Sequence, residues 1–135
     1  MLARKITLGI LFSGSVLLFL LASRTLHLPV VLSSRDVRAM IIQADLAAIR
    51  TQLALYKAAN GAYPSTAQGI VALVVKPTSL PSPSRWTQLF YAVPKDPWGN
   101  EYFYLCPGRT NPTAYDLFST GPDGKAYTTD DDWGK

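Results

Sequence analysis

Cysteine and histidine are almost absent from this 135-residue chain, which holds one of each, Cys106 and His27. A single cysteine excludes a disulfide within the chain, and we interpret Cys106 as a small buried hydrophobe. A single histidine excludes a zinc site built from several histidines, and we interpret His27, at the edge of the apolar N-terminal segment, as a polar flanking residue rather than as part of a Ser-His-Asp triad. The sequence places no pair of acids in a common cleft for acid-base chemistry. We therefore expect that the protein is not an enzyme.

Basic charge is scarce in the C-terminal part of the chain, although the net charge is +4. Residues 1–57 hold seven Lys and Arg against two acids, whereas residues 58–135 hold six against seven. Nucleic-acid binding needs a clustered basic patch with stacking aromatic side chains. We therefore expect no nucleic-acid partner. At this length the chain has room for one domain of modest core size.

Charge is also absent from the stretch Ile6 to Ala22, which follows Arg4 and Lys5. As a helix this stretch spans about 26 Å, close to the hydrocarbon thickness of a bilayer. A cleaved secretory signal is the alternative, but the run is long and a leucine stands where a small residue should precede the cut. We predict a retained single-pass anchor. Residues 1–34 then form the cytoplasmic stub, transmembrane helix and flank, and residues 35–135 form a domain outside the cytoplasmic membrane.

A helical pattern runs from Ser34 to Asn60. Apolar residues recur there at spacings of three and four and predict one buried face, made of Ala39, Ile42, Leu46, Ile49, Leu53 and Tyr56. Ser33 or Ser34 can cap the start, and Asn60-Gly61 can end the helix in the left-handed conformation. Joined to the membrane segment, the pattern predicts one long helix that is transmembrane first and amphipathic after.

Shorter elements follow the helix. Ser65 and Gln68 have capping-box spacing and predict a short second helix before Pro77, with Ile70, Leu73 and Val74 on its buried face. A tight turn over residues 96–100 leads into a strand from Glu101 to Leu105. A second strand is predicted from Ala114 to Ser119.

The stretches LYKAANGAYPSTAQG, DPWGN and FSTGPDG are weak signals singly but specific in combination. Over about residues 39–131 the chain resembles the major pseudopilins of bacterial type II secretion systems. The resemblance implies a pilin-like α+β fold, in which the long N-terminal helix packs on a small antiparallel sheet. It also implies an anchor in the bacterial inner membrane and a domain in the periplasm. The implied function is structural: the subunit joins other pseudopilin subunits in a homo-oligomeric filament, beside an inner-membrane secretion platform, and the filament assists protein export.

One motif of that family is missing. Its members carry a Gly, a cleavage point, an apolar residue and a Glu at the fifth position of the mature chain, whereas Gly9 is followed here by ILFSG. Gly14 therefore stands where the Glu belongs, and in the family that Glu neutralises a neighbouring subunit's amine inside the membrane. The alternative hypothesis is a membrane-tethered, pseudopilin-like adaptor that does not polymerise. If a filament forms, we expect Ile6 to Leu32 to make the subunit contacts and the stripe from Ala39 to Tyr56 to hold the sheet.

The segment GPDGKAYTTDDD, residues 121–132, contains four of the nine acids. Carboxylates are hard oxygen donors of the kind calcium prefers, and two glycines allow backbone carbonyls to turn inward. The spacing is not that of an EF-hand, and composition alone favours a solvated acidic tail. The pseudopilin resemblance implies instead one calcium ion, held by the carboxylates of Asp123, Asp130 and Asp131 and by the carbonyls of Thr120 and Lys125. Asp132 stands where the family has an apolar residue, and it is either an alternative ligand or solvated.

Overall fold

The computed structural model describes residues 32–135. The predicted anchor over Ile6 to Ala22, the single histidine and the missing cleavage motif lie outside the described residues. Within residues 32–135 no helix is long and apolar enough to cross a membrane. The elements are helix α1 (Ser34–Asn60), a 3₁₀ helix (Ile70–Leu73) and strands β1 (Phe103–Leu105) and β2 (Asp116–Phe118).

Helix α1 begins and ends where the sequence predicts. The Ser33 side chain accepts the backbone N–H of Asp36 at 3.2 Å, and the Asp36 carboxylate accepts the backbone N–H of Ser33 at 3.1 Å. This reciprocal pair is a capping box. At the other end Gly61 adopts φ 85° and donates its N–H to the carbonyl of Lys57 at 2.7 Å. Both ends are therefore closed by residues within four positions of the helix.

The apolar stripe of α1 forms one wall of the core. Ile42, Leu46, Ile49, Leu53 and Tyr56 are buried, as predicted. Ala39 is exposed, and its prediction as a buried residue is wrong. Ala39 lines a cleft of about 520 Å³ between the start of α1 and the C-terminal loop, so solvent reaches it. The opposite wall of the core consists of Ile70, Ala72, Leu73, Tyr102, Tyr104 and Leu117.

The sheet has two antiparallel strands, with Phe103 opposite Phe118 and Leu105 opposite Asp116. Both strands are shorter than predicted. β1 ends at Leu105 as predicted, and beyond it the Thr66 hydroxyl accepts the N–H of Cys106 at 2.8 Å and donates to its carbonyl at 2.9 Å. β1 begins only at Phe103, because Glu101 pairs instead with Lys95 in an isolated antiparallel bridge. The α+β class, a long helix packed on a small antiparallel sheet, agrees with the expectation.

The predicted second helix is wrong in type and extent. Ser65 and Gln68 do exchange the predicted capping bonds: the Gln68 N–H donates to Ser65 Oγ at 3.3 Å, and the Ser65 N–H donates to Gln68 Oε1 at 3.0 Å. Gly69 then adopts φ 59° and ψ −171°, which leaves the helical region at once. Only the single 3₁₀ turn Ile70–Leu73 follows, and Val74 is half-buried rather than buried.

The C-terminal segment packs back on the helix and the sheet. The Trp133 ring lies against Phe118, with ring centroids 4.3 Å apart. The Arg50 guanidinium donates to the Trp133 carbonyl at 2.7 Å. Cys106, expected to be buried, is half-buried and free. The docked C-terminus closes the core over α1.

Candidate metal centre

The acidic segment 121–132 is a closed loop rather than a frayed tail. Asp132, its last residue, and Ser119, two positions before its first, exchange two backbone hydrogen bonds, each 2.9 Å. Gly121, at φ 64°, turns the chain sharply at the entry to the loop. A Cβ added at Gly121 would lie 2.5 Å from the Asp130 carbonyl oxygen and 2.6 Å from Asp130 Oδ2. The first and last parts of the loop therefore touch at a point where only glycine fits.

The turn at residues 96–100 holds the entry to the loop. The buried Asp96 carboxylate accepts the Asn100 N–H at 2.8 Å and the Ser119 hydroxyl at 2.7 Å. The Asn100 side chain donates to the Gly121 carbonyl at 2.9 Å. The sequence predicted this turn only as the connection that leads into β1. Its DPWGN stretch gave no sign that its polar groups reach the acidic loop, because that contact spans more than twenty residues.

Thr128 lies among the predicted ligands. Its hydroxyl oxygen is 3.1 Å from the Lys125 carbonyl and 2.6 Å from Asp130 Oδ1. Its backbone N–H donates to Asp131 Oδ2 at 3.1 Å. The Asp123 side chain accepts the Lys125 N–H at 2.7 Å, and the Asp123 N–H donates to Asp130 Oδ2 at 3.3 Å. The structure thus brings four of the five predicted ligand residues together.

Thr120, the fifth predicted ligand residue, is buried directly after the Ser119–Asp132 pair. No hydrogen bond within residues 32–135 joins Thr120 to the other four. Asp132, the alternative ligand, has one carboxylate oxygen accepting the Gly134 N–H at 2.8 Å. This bond closes the turn at the C-terminus, and the other carboxylate oxygen of Asp132 makes no hydrogen bond within residues 32–135.

The carboxylates of the loop perturb one another. Burial raises the pKa of Asp131, and the neighbouring Asp130 and Asp123 charges raise it further. The Thr128 hydroxyl lowers the pKa of Asp130. Asp131 Oδ1 is buried and has no hydrogen-bond partner within residues 32–135. A buried carboxylate oxygen without a donor, beside two further carboxylates, is an environment that a cation would stabilise.

The donor set fits a calcium ion only if it includes groups other than carboxylates. Within residues 32–135 no group of three or more His, Cys, Asp or Glu side chains is arranged to hold a metal ion by itself. Calcium accepts six to eight oxygen ligands in irregular geometry, including backbone carbonyls. The unpartnered oxygen of Asp131, the Asp130 carboxylate and the Lys125 carbonyl are oxygen ligands of the types that calcium accepts.

A second polar cluster, unnoticed in the sequence, surrounds Asp116 at the start of β2. This carboxylate is 1% exposed and accepts backbone N–H groups from Arg109, Thr110 and Asn111 and hydroxyls from Thr110 and Tyr127. Burial alone would raise the pKa of Asp116, but these hydrogen bonds outweigh it and hold the pKa at about 2. An acid inside a predicted strand carries no sequence signal for such a role.

A long helix packed on a small antiparallel sheet is the architecture of pilin-like subunits. The sequence model of the family "Type II secretion system (T2SS), protein G" matches residues 30–133. The chain therefore belongs to this family, the major pseudopilins of type II secretion.

Individual relatives agree with the family assignment. The chain is 45% identical over 120 residues to the type II secretion system core protein G of Pseudomonas aeruginosa, an alignment that covers 87% of this chain and 82% of that relative. The Dickeya chrysanthemi core protein G is 47% identical over 90 residues, which cover 65% of this chain and 58% of that relative's length. The crystal structure of the major pseudopilin from the type 2 secretion system of enterohaemorrhagic Escherichia coli matches with a TM-score of 0.66 and 39% identity. That match covers 72% of this chain and 85% of the other.

Proposed function

We propose that the protein is a non-catalytic structural subunit of a type II secretion pseudopilus. Its anchor holds it in the inner membrane of a bacterium, the domain lies in the periplasm, and subunits assemble into a filament that assists protein export. We further propose that one calcium ion stabilises the domain through the acidic loop.

The observation that carries the filament proposal is the outer face of α1. Every exposed residue between positions 40 and 55 of this helix is uncharged: Met40, Ile41, Gln43, Ala44, Ala47, Ala48, Thr51, Ala54 and Leu55. The two charged residues in this span, Asp45 and Arg50, are half-buried. They are hydrogen-bonded to Tyr102 and to the Trp133 carbonyl, respectively. A helix face directed at water in a globular protein normally carries charged residues.

A second copy of the chain is the partner that suits this face. The uncharged span is about 24 Å long, enough for several turns of helix-on-helix packing. Its alanines allow close approach, and the side chains of Met40, Ile41 and Leu55 are 57%, 43% and 51% exposed. Membership of the pseudopilin family supports assembly with further pseudopilin subunits. The subunit contacts therefore extend beyond the segment Ile6 to Leu32 that the sequence alone suggested.

The second candidate function is a membrane-tethered adaptor that does not polymerise. Gly14, at the position of the family's Glu, is the observation that favours it. Loss of that Glu removes a charge pairing inside the membrane but leaves the outer face of α1 unchanged. The two candidates therefore differ in whether copies of α1 lie against one another in cells.

Cysteine cross-linking of the full chain in bacterial membranes separates these candidates. In a Cys106→Ser background, Ile41→Cys and Leu55→Cys place single thiols on the outer face of α1, while Leu80→Cys places one on an exposed loop. The filament predicts cross-linked dimers for the two helix positions, because one thiol per chain can join only two chains, and monomers for Leu80→Cys. Monomers only at both helix positions would support the adaptor and refute assembly through α1.

The calcium proposal rests on the polar groups of the loop. The buried, unpartnered oxygen of Asp131 and the raised pKa of its carboxyl indicate uncompensated negative charge. The proposed ligands are the carboxylates of Asp123, Asp130 and Asp131 with the carbonyls of Thr120 and Lys125. A bound cation would cancel that charge and tie the loop to the end of β2, which stabilises the folded state by mass action.

Melting curves of the full chain in detergent, with calcium and with excess chelator, test this proposal. Calcium should raise the melting temperature, and Asp123→Ala should abolish the rise. Glu101→Gln is the matched control, because Glu101 is exposed and lies outside the loop. Equal melting temperatures for the unaltered chain in calcium and chelator would eliminate the calcium site and leave the filament proposal intact.

A further inference from the structure

Tyr127, inside the acidic loop, has an unusual backbone conformation. At φ 63° it is the one non-glycine residue with a positive φ among residues 32–135. The left-handed region is disfavoured for a residue with a bulky side chain and persists only where the surroundings impose it. Glycine would adopt the same φ without strain, and glycines already provide the turns at positions 121 and 124. The surroundings of the Tyr127 side chain must therefore hold this conformation.

The Tyr127 side chain is held on three sides. Its hydroxyl donates to Asp116 Oδ2 at 2.9 Å. Its ring packs edge-on against Phe103 of β1 and Phe118 of β2, with centroids 5.4 Å away in both cases. The Arg109 guanidinium lies 4.9 Å from the ring centroid. Every one of these partners belongs to the sheet or to the loop that joins its two strands.

Asp116 is a rigid acceptor for the Tyr127 hydroxyl. Besides that hydroxyl it accepts the Arg109 N–H at 2.8 Å and the Thr110 N–H at 3.0 Å. A Cβ added at Gly108 would lie 2.6 Å from Asp116 Oδ1, so the β1–β2 connection packs tightly around this carboxylate. A side chain restrained in this way cannot follow Tyr127 if the acidic loop moves. The hydrogen bond therefore fixes the loop to the sheet.

Thr128, the residue that follows Tyr127, lies among the proposed ligand residues. Thr128 contacts three of the proposed ligand residues: Lys125 and Asp130 through its hydroxyl, and Asp131 through its N–H. The φ of Tyr127 sets the direction in which the chain leaves position 127. A change of Tyr127 to an ordinary negative φ would carry Thr128 away from all three residues.

We propose that Tyr127 is a positioning residue for the metal loop: anchored on Asp116, it holds the left-handed turn that delivers Thr128 to Lys125, Asp130 and Asp131. The expected effect on metal binding rests on the proposed calcium function, whereas the expected effect on the conformation of the loop does not depend on it. Tyr127 itself contributes no ligand. It reduces the number of loop conformations before the ion arrives, and a preorganised site binds more tightly than a flexible one.

Calcium titration by calorimetry on the full chain in detergent tests the effect on binding. Tyr127→Phe removes the hydroxyl and keeps the ring, and we expect the calcium Kd to rise about tenfold, because the loop loses a hydrogen bond to a charged acceptor that preorganises it. Tyr127→Gly permits the positive φ but removes the anchor, and its Kd should rise at least as much. Tyr91→Phe is the matched control, because Tyr91 is 98% exposed, and its Kd should not change. Each Kd is measured where near-UV circular dichroism shows that the variant is folded, so that a general loss of stability does not alter it.

Hydrogen exchange in excess chelator tests the positioning without the metal. The amides of residues 128–131 should exchange about tenfold faster in Tyr127→Phe than in Tyr91→Phe, while the amides of α1 are unaffected. Unchanged exchange in these residues, or a Tyr127→Gly variant that binds calcium as tightly as the unaltered chain, would overturn the inference. If the unaltered chain binds no calcium but Tyr127→Phe still loosens residues 128–131, the calcium proposal fails and the positioning role remains.

Discussion

Replacing Asp116 with asparagine should make the stability of the domain less dependent on pH. The hydrogen bonds around this 1% exposed carboxylate lower its pKa from an ordinary 3.8 to about 2. One pKa unit corresponds to about 1.4 kcal/mol, so the ionised carboxylate contributes on the order of 2 kcal/mol to the free energy of unfolding. Asparagine has nearly the same shape, but its amide nitrogen is a donor that would face the donors of Arg109, Thr110 and Tyr127.

The sign of the pH effect follows from the lowered pKa. Above about pH 4 the carboxylate is ionised in both the folded and the unfolded chain, and its full contribution is present. As the pH falls from about 4 to about 2, the unfolded chain takes up the proton first and the contribution is lost. The stability difference between the unaltered chain and Asp116→Asn should therefore be on the order of 2 kcal/mol near neutral pH and shrink towards pH 2.

Urea unfolding of the full chain in detergent, with chelator present and followed by near-UV circular dichroism, measures this difference. Glu101→Gln is the control, since Glu101 is exposed and its side chain makes no hydrogen bond within residues 32–135. A difference below about 1 kcal/mol at neutral pH, or one that stays constant down to about pH 2, would refute the reasoning.

Two further substitutions have matched controls within the chain. Leu53→Ala leaves a cavity at a fully buried position and should lower the free energy of unfolding by about 3 kcal/mol. Leu55 is 51% exposed on the same helix, so Leu55→Ala should change the free energy of unfolding little but weaken cross-linking along α1. Equal losses of stability for the two variants would contradict the assignment of the buried and outer faces. Gly121→Ala places a Cβ 2.5 Å from the Asp130 carbonyl oxygen and should lower the melting temperature more than Gly124→Ala. Gly124 shares the positive φ, but its added Cβ has no contact nearer than 3.6 Å. Equal decreases in the two melting temperatures would show that the clash has no effect.

The sequence determined the features that arise from neighbouring residues. The bounds of α1 follow from the Ser33–Asp36 cap, the left-handed Gly61 and the spacing of its apolar residues, all of which act over three or four positions. The exchange of hydrogen bonds between Ser65 and Gln68 has the same range. The order of helix and strands and the place of the acidic loop were predictable for this reason.

Only the tertiary structure decided where β2 ends and what holds the loop. β2 ends at Phe118 because the next residue, Ser119, exchanges its backbone hydrogen bonds with Asp132, thirteen positions away in the chain. The C-terminus docks because Arg50 reaches Trp133, 83 positions away. Tyr127 gave no sequence sign of a left-handed turn, since that conformation is imposed by Asp116, Phe103 and Phe118. Contacts between distant residues depend on how the helix and the sheet pack, and a local pattern of residues does not encode that packing.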